Sequence, residues 1–229
     1  MVMNEKAASG PVVADPPVHE RVYQALRERV LYGELRPGQA VTIQGLAAEL
    51  DAGMTPVREA IRRMTSDGGL VFQGNRRVSV PVLDRGDVAE ILFLRCAIEP
   101  ELTRRACMAQ GPGLLDDLHR TDAALDTAIA AGDIPGYLRY NHLFHETLYA
   151  AAGAVIMTET AERLWLRFGP SLRVVCGRFG TQNLPDRHRE ILAAFSARDA
   201  EAAAAAMTRD VTEGMTQVLE VIDEGGAPG

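Results

Sequence analysis

Apolar residues recur at helical spacing near the start of this chain. Val22, Leu26 and Val30 stand four residues apart, which places them on one face of a helix over residues 18–32. The glycine and proline residues of segment 33–38 are expected to end this helix and form a turn.

Two more short helices are expected next, separated by a tight turn. Thr42 is placed to cap a second helix that runs to Leu50. After the turn, Thr55 as N-cap and Pro56 as the first helical residue predict a third helix. This third helix is expected to end at about Asp67.

Two β-prone runs follow the third helix. The runs LVFQ (70–73) and RVSVPV (77–82) are separated by the pair Gly74-Asn75, which is typical of a hairpin turn. Three helices followed by a hairpin are the outline of a winged helix-turn-helix.

From Asp84 onward the pattern is almost wholly helical, and no strand pattern occurs after residue 83. Helices are expected near residues 84–109, 113–131, 133–151, 154–175, 185–197 and 199–224. The predicted fold class is therefore mainly α, with an N-terminal winged helix-turn-helix and a C-terminal all-helical bundle.

These patterns divide the chain into four segments. Residues 1–17 carry Pro, Gly and Ser without apolar periodicity and are expected to be a flexible leader. Residues 18–83 are predicted to form the winged helix-turn-helix, residues 84–224 the helical domain, and residues 225–229 a frayed tail. A chain of 229 residues is long enough for two modest domains.

The composition indicates a soluble globular protein, with 47% hydrophobic and 24% charged residues. No apolar run approaches the roughly 20 residues that span a bilayer, and the N-terminus lacks the pattern of a secretory signal. The three cysteines form no CxxC pair, as expected in a reducing compartment. We therefore expect a cytoplasmic protein without a membrane partner.

The net charge of −7 is unevenly distributed along the sequence. Residues 20–81 contain nine Arg and seven acidic residues, a balance of +2, whereas residues 82–229 contain fourteen Arg and twenty-two acidic residues, a balance of −8. A mildly basic front end on an acidic body suits a protein whose first domain contacts phosphate.

The front end resembles the GntR family of bacterial regulators. Three family motifs stand in the family's order and close to its spacing: GELRPG (33–38), LAAEL (46–50) and TPVREAI (55–61). The resemblance implies a winged helix-turn-helix that binds double-stranded operator DNA.

The recognition helix of such a motif points its first-turn amides and side chains into the major groove. Arg58 is placed to reach a base edge or a phosphate. Met54 stands where the family commonly has a positive residue, so either the operator preference differs or affinity depends more on Arg58 and the wing. Any one of these arginines taken alone is equally explained as a solvated surface charge. The predicted DNA-binding residues are Thr55, Pro56, Arg58, Arg62, Arg63, Asn75, Arg76 and Arg77.

The helical segment resembles the FCD sensor domain of the FadR branch of that family. The resemblance is carried by LRCAIEPELTRRA (94–106), NHLFHETL (141–148) and RHREILAAFSARDAEAAAAAM (187–207), and it covers essentially all of residues 84–220. It implies a helical domain that senses a small ligand.

Many members of that family hold a divalent metal with four side chains, and the resemblance maps these onto Asn141, His145, His188 and Asp210. The i to i+4 spacing places Asn141 and His145 on one helical face. Asp210 stands in place of a family histidine. Two imidazoles, a carboxylate and an amide suit a divalent ion such as zinc. The alternative is that both histidines are hydrogen-bonded core residues.

Arg95 is the candidate effector-binding residue. It falls on the otherwise largely apolar stripe of the helix over residues 84–109, and a buried guanidinium needs an anionic partner. Glu99, four residues on, provides that partner in a purely structural interpretation. In the functional interpretation the partner is the carboxylate of a small organic acid, because Arg matches a carboxylate bidentately.

The sequence therefore predicts a homodimeric transcriptional regulator whose operator affinity is controlled by a small carboxylate, with a divalent metal in the helical domain. An enzyme is not expected, because HExxH, GxSxG, P-loop and GxGxxG motifs are all missing from the sequence. The alternatives are a metal-dependent hydrolase-like enzyme and a dimerisation module with a vestigial pocket.

Overall fold

A winged helix-turn-helix forms the N-terminal part of the computed structural model, which describes residues 16–74, 77–181 and 187–223. Its elements are α1 (Val18–Leu31), β1 (Ala40–Val41), α2 (Ile43–Glu49), α3 (Met54–Asp67), β2 (Val71–Gln73) and β3 (Arg77–Ser79). Some sequence-based predictions lie outside the described residues: most of the leader (residues 1–15), the wing residues Asn75 and Arg76, and the tail at residues 225–229.

Strand β3 pairs antiparallel with both β1 and β2, giving the order β1-β3-β2. Strand β1 was not predicted, because two residues are too short to show an alternating pattern and only its pairing with β3 defines it. The run predicted over 77–82 ends earlier in the structure. Pro81 follows Val80 and has no N–H to donate to the ladder.

The helix caps agree with the sequence at α2 and differ at α3. The Thr42 side chain accepts a hydrogen bond of 3.0 Å from the Gly45 amide, as predicted. The prediction of Thr55 as the α3 N-cap was wrong, because the helix begins at Met54 with Gly53 as N-cap. Pro56 is therefore the third helical residue, where its missing N–H costs nothing since first-turn amides have no intrahelical partner.

The rest of the chain is helical within the described ranges, which confirms the predicted fold class. The helices are α4 (Arg85–Ala109), α5 (Leu114–Ala131), α6 (Ile134–Ala151), α7 (Val155–Phe179), α8 (His188–Ala197) and α9 (Ala200–Asp223). Helix α7 runs four residues beyond its predicted end at 175. A single exposed glycine, Gly177, costs a helix only about 0.5–1 kcal/mol, and the buried Val175 and Cys176 hold the turn in place.

The two parts of the chain pack directly against each other through α1 and α7. A Cβ atom added to Gly169 of α7 would lie 3.0 Å from the Leu31 carbonyl oxygen of α1. Beside this contact, Arg27 of α1 forms an ion pair with Glu162 of α7. The buried apolar side chains of both parts belong to one continuous core. A displacement of α7 would therefore also displace α1.

Among the described residues no helix combines the length and apolar character needed to cross a membrane.

Candidate functional site

The outer face of the winged helix-turn-helix contains a cleft of about 710 Å³ between α2, α3 and the strands. Arg58 and Arg62 of α3 and Arg77 of β3 line this cleft. Thr42, Gln44 and Met54 also line it, and of these only Met54 could be linked to DNA from the sequence. Three of the predicted DNA-binding arginines thus converge on one concave surface.

The other predicted DNA residues of α3 differ in their surroundings. Thr55 is exposed and Pro56 half-buried in the first turn. Arg63 does not line the cleft: it pairs with Glu20 of α1 at 2.7 Å and lies 3.7 Å above the Tyr23 ring. Its side chain is therefore engaged in holding α3 against α1.

Three of the four predicted metal ligands come together in the helical part of the chain. His145 of α6, His188 of α8 and Asp210 of α9 each offer a donor atom, and these atoms all lie within 4.8 Å of one another. Both imidazoles are buried. The fourth predicted ligand, Asn141, lies one turn before His145 and lines a cavity with His145 and Asp210.

His145 lies between two carboxylates. Its Nε2 atom is 3.3 Å from Oδ2 of Asp210, and its Nδ1 atom is 3.3 Å from Oε2 of Glu99 and 3.3 Å from the Tyr149 hydroxyl. Burial alone would lower the pKa of His145, but the hydrogen bonds to Asp210 and Glu99 outweigh it and raise the pKa above its ordinary value. In the absence of a metal ion, a protonated His145 can donate one hydrogen bond to each of the two carboxylates.

Asp210 is held as a carboxylate. Burial by itself raises its pKa, but the hydrogen bond to His145 and the positive charges around it outweigh burial and lower the pKa to about 2. The Arg187 backbone amide also donates to its Oδ1 at 3.4 Å. An anionic oxygen is therefore available to a cation over the whole physiological pH range.

The surroundings of His188 fix the orientation of its ring. The imidazole stacks on Phe144 with the ring centroids 3.8 Å apart, and its Nδ1 atom lies 3.5 Å from Oδ1 of Asp122. A carboxylate behind an imidazole is the usual support of a metal-ligating histidine. Glu99 stands in the same relation to His145. Sequence reasoning missed Asp122 altogether and assigned Glu99 only to Arg95, because nothing in the spacing links α4 or α5 to α6 and α8.

The types of donor in this cluster, two imidazoles and a carboxylate, suit a divalent ion. Two ligands that each lie about 2.0–2.1 Å from a tetrahedral zinc ion are separated by roughly 3.4 Å, close to the 3.3 Å between His145 and Asp210. The cavity beside them has a volume of about 30 Å³. This volume suits one ion or one water molecule and is too small for an organic acid.

Arg95 is buried and forms the pair with Glu99 that the structural interpretation required. Its Nε and Nη2 atoms donate to the two carboxylate oxygens, the second bond being 3.0 Å long. The guanidinium also lies 4.1 Å from the Phe168 ring centroid and 5.0 Å from that of Trp165. Arg95 nevertheless lines the same cavity as Asn141 and Asp210. A role in ligand binding therefore remains a hypothesis beside its structural one.

His142 lies off the metal face and joins the helical part to α1. Its Nε2 atom is 3.3 Å from Oε2 of Glu162, the carboxylate that also pairs with Arg27 of α1. Trp165 contacts both histidines of α6, with ring-centroid distances of 4.9 Å to His142 and 5.1 Å to His145. The metal-site candidate and the domain contact thus share one indole ring.

Two family profiles match the chain. The profile of the FCD domain matches residues 90–213, which is more than half of the chain, and the profile of bacterial regulatory proteins of the gntR family matches residues 18–80. Both matches agree with the motifs quoted from the sequence.

Individual relatives give the same result. The HTH-type transcriptional regulator McbR of Escherichia coli K12 is 28% identical over 184 residues, which cover 79% of this chain and 83% of McbR. The HTH-type transcriptional repressor RspR of that strain is 24% identical over 216 residues, which cover 91% of this chain and 92% of RspR. The solved structure of E. coli McbR/YncC superposes with a TM-score of 0.81 at 26% identity, covering 93% of this chain and all of that one. Both relatives are named as regulators, which favours a regulator over a hydrolase.

The buried Arg95–Glu99 pair leads to a prediction about stability. Replacing Glu99 by Gln leaves a buried guanidinium without its counter-charge, and we expect the free energy of unfolding at pH 7 to fall by about 3–5 kcal/mol. Urea unfolding followed by circular dichroism measures this. Glu101→Gln, which weakens the partly exposed ion pairs with Arg104 and Arg105 on the same helix, is the control and should change stability little.

The pH dependence gives this prediction a second arm. The charge of Arg95 and the hydrogen bond to His145 outweigh burial and lower the Glu99 pKa to about 2. A carboxylate with a lowered pKa stabilises the fold above its ordinary value of 4.5 and loses that contribution as the pH falls toward 2. The difference between wild type and Glu99→Gln should shrink over that range. Equal urea midpoints at pH 7 would contradict the assignment.

Proposed function

We propose that a small organic acid bound in the helical domain controls the affinity of this chain for operator DNA. The premise is that the chain belongs to the GntR family of bacterial regulatory proteins and carries an FCD domain. It is therefore a DNA-binding transcriptional regulator of that type. The convergence of His145, His188 and Asp210 beside Arg95 is the observation that carries this proposal.

The cleft between α2, α3 and the wing is the proposed DNA surface. Arg58 and Met54 lie one helical turn apart at the start of α3, so their side chains share the face that would enter the major groove. Arg62 and Arg77 lie further along the cleft and are suited to phosphates. We expect a homodimer on a pseudo-palindromic operator, because one recognition helix reads too few base pairs for useful specificity.

The proposed metal site consists of His145, His188 and Asp210, with Asn141 as the fourth ligand. When bound, a divalent ion would supply a positive centre for a ligand carboxylate. Glu99 and Asp122 would each hold one ligand imidazole in its orientation. Arg95 adds a second positive group on the cavity wall.

Ligand entry requires movement, because a cavity of about 30 Å³ cannot hold an organic acid. Trp165, Leu172 and Val175 of α7 form part of its wall. The same helix carries Gly169 and Glu162, which contact α1. We therefore propose that ligand binding displaces α7 and that this displacement repositions the winged helix-turn-helix.

A test of the DNA surface uses Arg58. We expect Arg58→Ala to weaken binding to a duplex selected from a random library by the wild-type protein, by about 1–3 kcal/mol if Arg58 contacts a base. Fluorescence anisotropy titrations with the selected duplex and with a scrambled duplex separate base contacts from phosphate contacts. Arg120→Ala, an exposed arginine of α5, is the control. Unchanged affinity for the selected duplex removes Arg58 from the interface.

A test of the metal site measures metal content. Protein purified without an affinity tag or chelator should hold about one divalent ion per chain. His145→Ala and His188→Ala should lose it, whereas His119→Ala, at an exposed position of α5, should keep it. Asp210→Asn serves as the conservative variant. Elemental analysis and calorimetric titration with zinc and manganese provide the measurement.

The metal affinity should also fall as the pH falls, because an imidazole donates its lone pair only when neutral. The raised pKa of His145 moves this loss to a higher pH than an ordinary histidine would give. If neither metal analysis nor titration detects an ion, the cluster is a structural core and the pocket is vestigial.

A test of the ligand uses a thermal-shift screen of small carboxylic acids with and without divalent metal, since a ligand stabilises the folded state by mass action. The acid that stabilises should change operator affinity by about 5- to 150-fold. Arg95→Lys keeps a positive charge beside Glu99 but loses the planar fork, so it should weaken this response while leaving ligand-free DNA binding nearly unchanged. If the acid changes operator affinity in this variant as much as in the wild type, Arg95 only pairs with Glu99 and does not bind the ligand.

The domain contact provides the control for coupling. Arg27→Ala removes the ion pair between α1 and Glu162. In this variant the acid should still raise the melting temperature, but its effect on operator affinity should be reduced.

A further inference from the structure

The cleft of the winged helix-turn-helix has apolar side chains among its arginines. Val41 and Ile61, which are buried, and Val78, which is half-buried, line it and pack on the core. Two larger apolar side chains of the same lining are exposed. Met54 at the start of α3 is 56% exposed, and Phe72 of β2 is 65% exposed. Both are therefore accessible to whatever occupies the cleft.

The charges of the cleft indicate which occupant suits this apolar surface. An exposed apolar patch is often a protein-binding site, but Arg58, Arg62 and Arg77 line the same cleft and favour a polyanion. Duplex DNA supplies apolar groups as well as phosphates, because each thymine carries a C5-methyl group in the major groove. One duplex can thus satisfy both the arginines and the apolar lining.

Met54 is placed to contact a base edge. It is the first residue of α3, and Arg58 follows one turn later on the same face. The rise between the two residues is about 6 Å, and successive base pairs are about 3.4 Å apart. Their side chains would therefore reach base pairs about two steps apart.

The chemistry of methionine restricts what Met54 can recognise. Its side chain has no N–H or O–H, and its thioether sulfur is only a weak acceptor. It therefore cannot read the pattern of hydrogen-bond donors and acceptors on a base edge. The major-groove group that it can recognise by apolar contact is the thymine methyl, and its flexible, polarisable end suits such a contact.

We propose that Met54 is a specificity-determining residue that selects thymine in the operator, through van der Waals contact with the C5-methyl group. The inference rests on the DNA surface of the proposed function and names a base that this surface reads. An arginine at this place would instead select guanine by a bidentate contact. The departure from the family sequence at Met54 is thus a change of the preferred base.

The first experiment removes one methyl group at a time from the DNA. The wild-type full chain selects a duplex from a random library, and each thymine is then replaced in turn by uracil, which keeps the O4 acceptor. At one or more positions uracil should raise the dissociation constant about fourfold, as expected for the loss of one buried methyl group. Fluorescence anisotropy measures it. Equal affinity for every uracil duplex overturns the inference.

Protein variants assign the methyl contact to a residue. Met54→Gln has nearly the same length without the apolar end and should bind the thymine and uracil duplexes equally. Met54→Leu keeps an apolar side chain and should retain most of the discrimination. Phe72→Ala removes the other exposed apolar side chain of the cleft and should leave the ratio of the two affinities unchanged.

The opposite result is equally clear. If Phe72→Ala abolishes the preference for thymine over uracil while Met54→Gln retains it, Met54 does not read the methyl group and the inference is overturned. Circular dichroism checks that each variant is folded.

A change of specificity provides the third test. Met54→Arg places a guanidinium where it can donate to N7 and O6 of guanine. Selection from the same library with this variant should enrich guanine at the position where the wild type enriches thymine. Continued enrichment of thymine there contradicts a base contact by residue 54.

Failure of this inference and failure of the proposed function give different results. A wild-type protein that selects a duplex but is indifferent to uracil at every position overturns the role of Met54 and leaves operator binding in place. A wild-type protein that enriches no sequence from the library overturns both.

Discussion

The helical part of this protein depends on an alternating arrangement of buried charges. Four buried groups of alternating charge follow one another in space: Arg95, Glu99, His145 and Asp210. Arg95 donates to Glu99, and His145 lies 3.3 Å from Glu99 on one side and 3.3 Å from Asp210 on the other. A single buried charge is costly, and each of these is tolerated only because its neighbour compensates it. Since the residues come from α4, α6 and α9, the pairing also fixes how these helices lie against one another. The same arrangement places the candidate ligands around one small cavity.

Much of this arrangement could be predicted from the sequence. Apolar spacing located the helices of the described ranges to within a few residues, because each buries one continuous face and is bounded by glycine or proline. The i to i+4 spacing of Asn141 and His145 predicted a shared helical face. The assignment of these two residues as ligands, and of His188 and Asp210 with them, depended on the family resemblance, because no periodicity links α6 to α8 or α9.

The features that the sequence could not reveal depend on tertiary contacts. Strand β1 exists only through its pairing with β3, and the start of α3 at Met54 depends on the extended backbone at Gly53. Glu99 was predicted as one possible partner of Arg95, yet it also supports His145, which the spacing along α4 alone could not indicate. The size of the cavity could not be predicted from the sequence either, because it depends on how α7 packs against α6 and α9.

Trp165 is the single tryptophan of this sequence, and its position has a practical consequence. The indole touches His142 and His145, lies beneath the Arg95 guanidinium, and donates to the Tyr149 hydroxyl at 3.0 Å. Nearby positive charge and protonated imidazole alter the emission of an indole. The intrinsic fluorescence of the unlabelled protein therefore reports on a single place in the structure, where the protonation of His145 and the contact between α7 and α1 both affect the same indole.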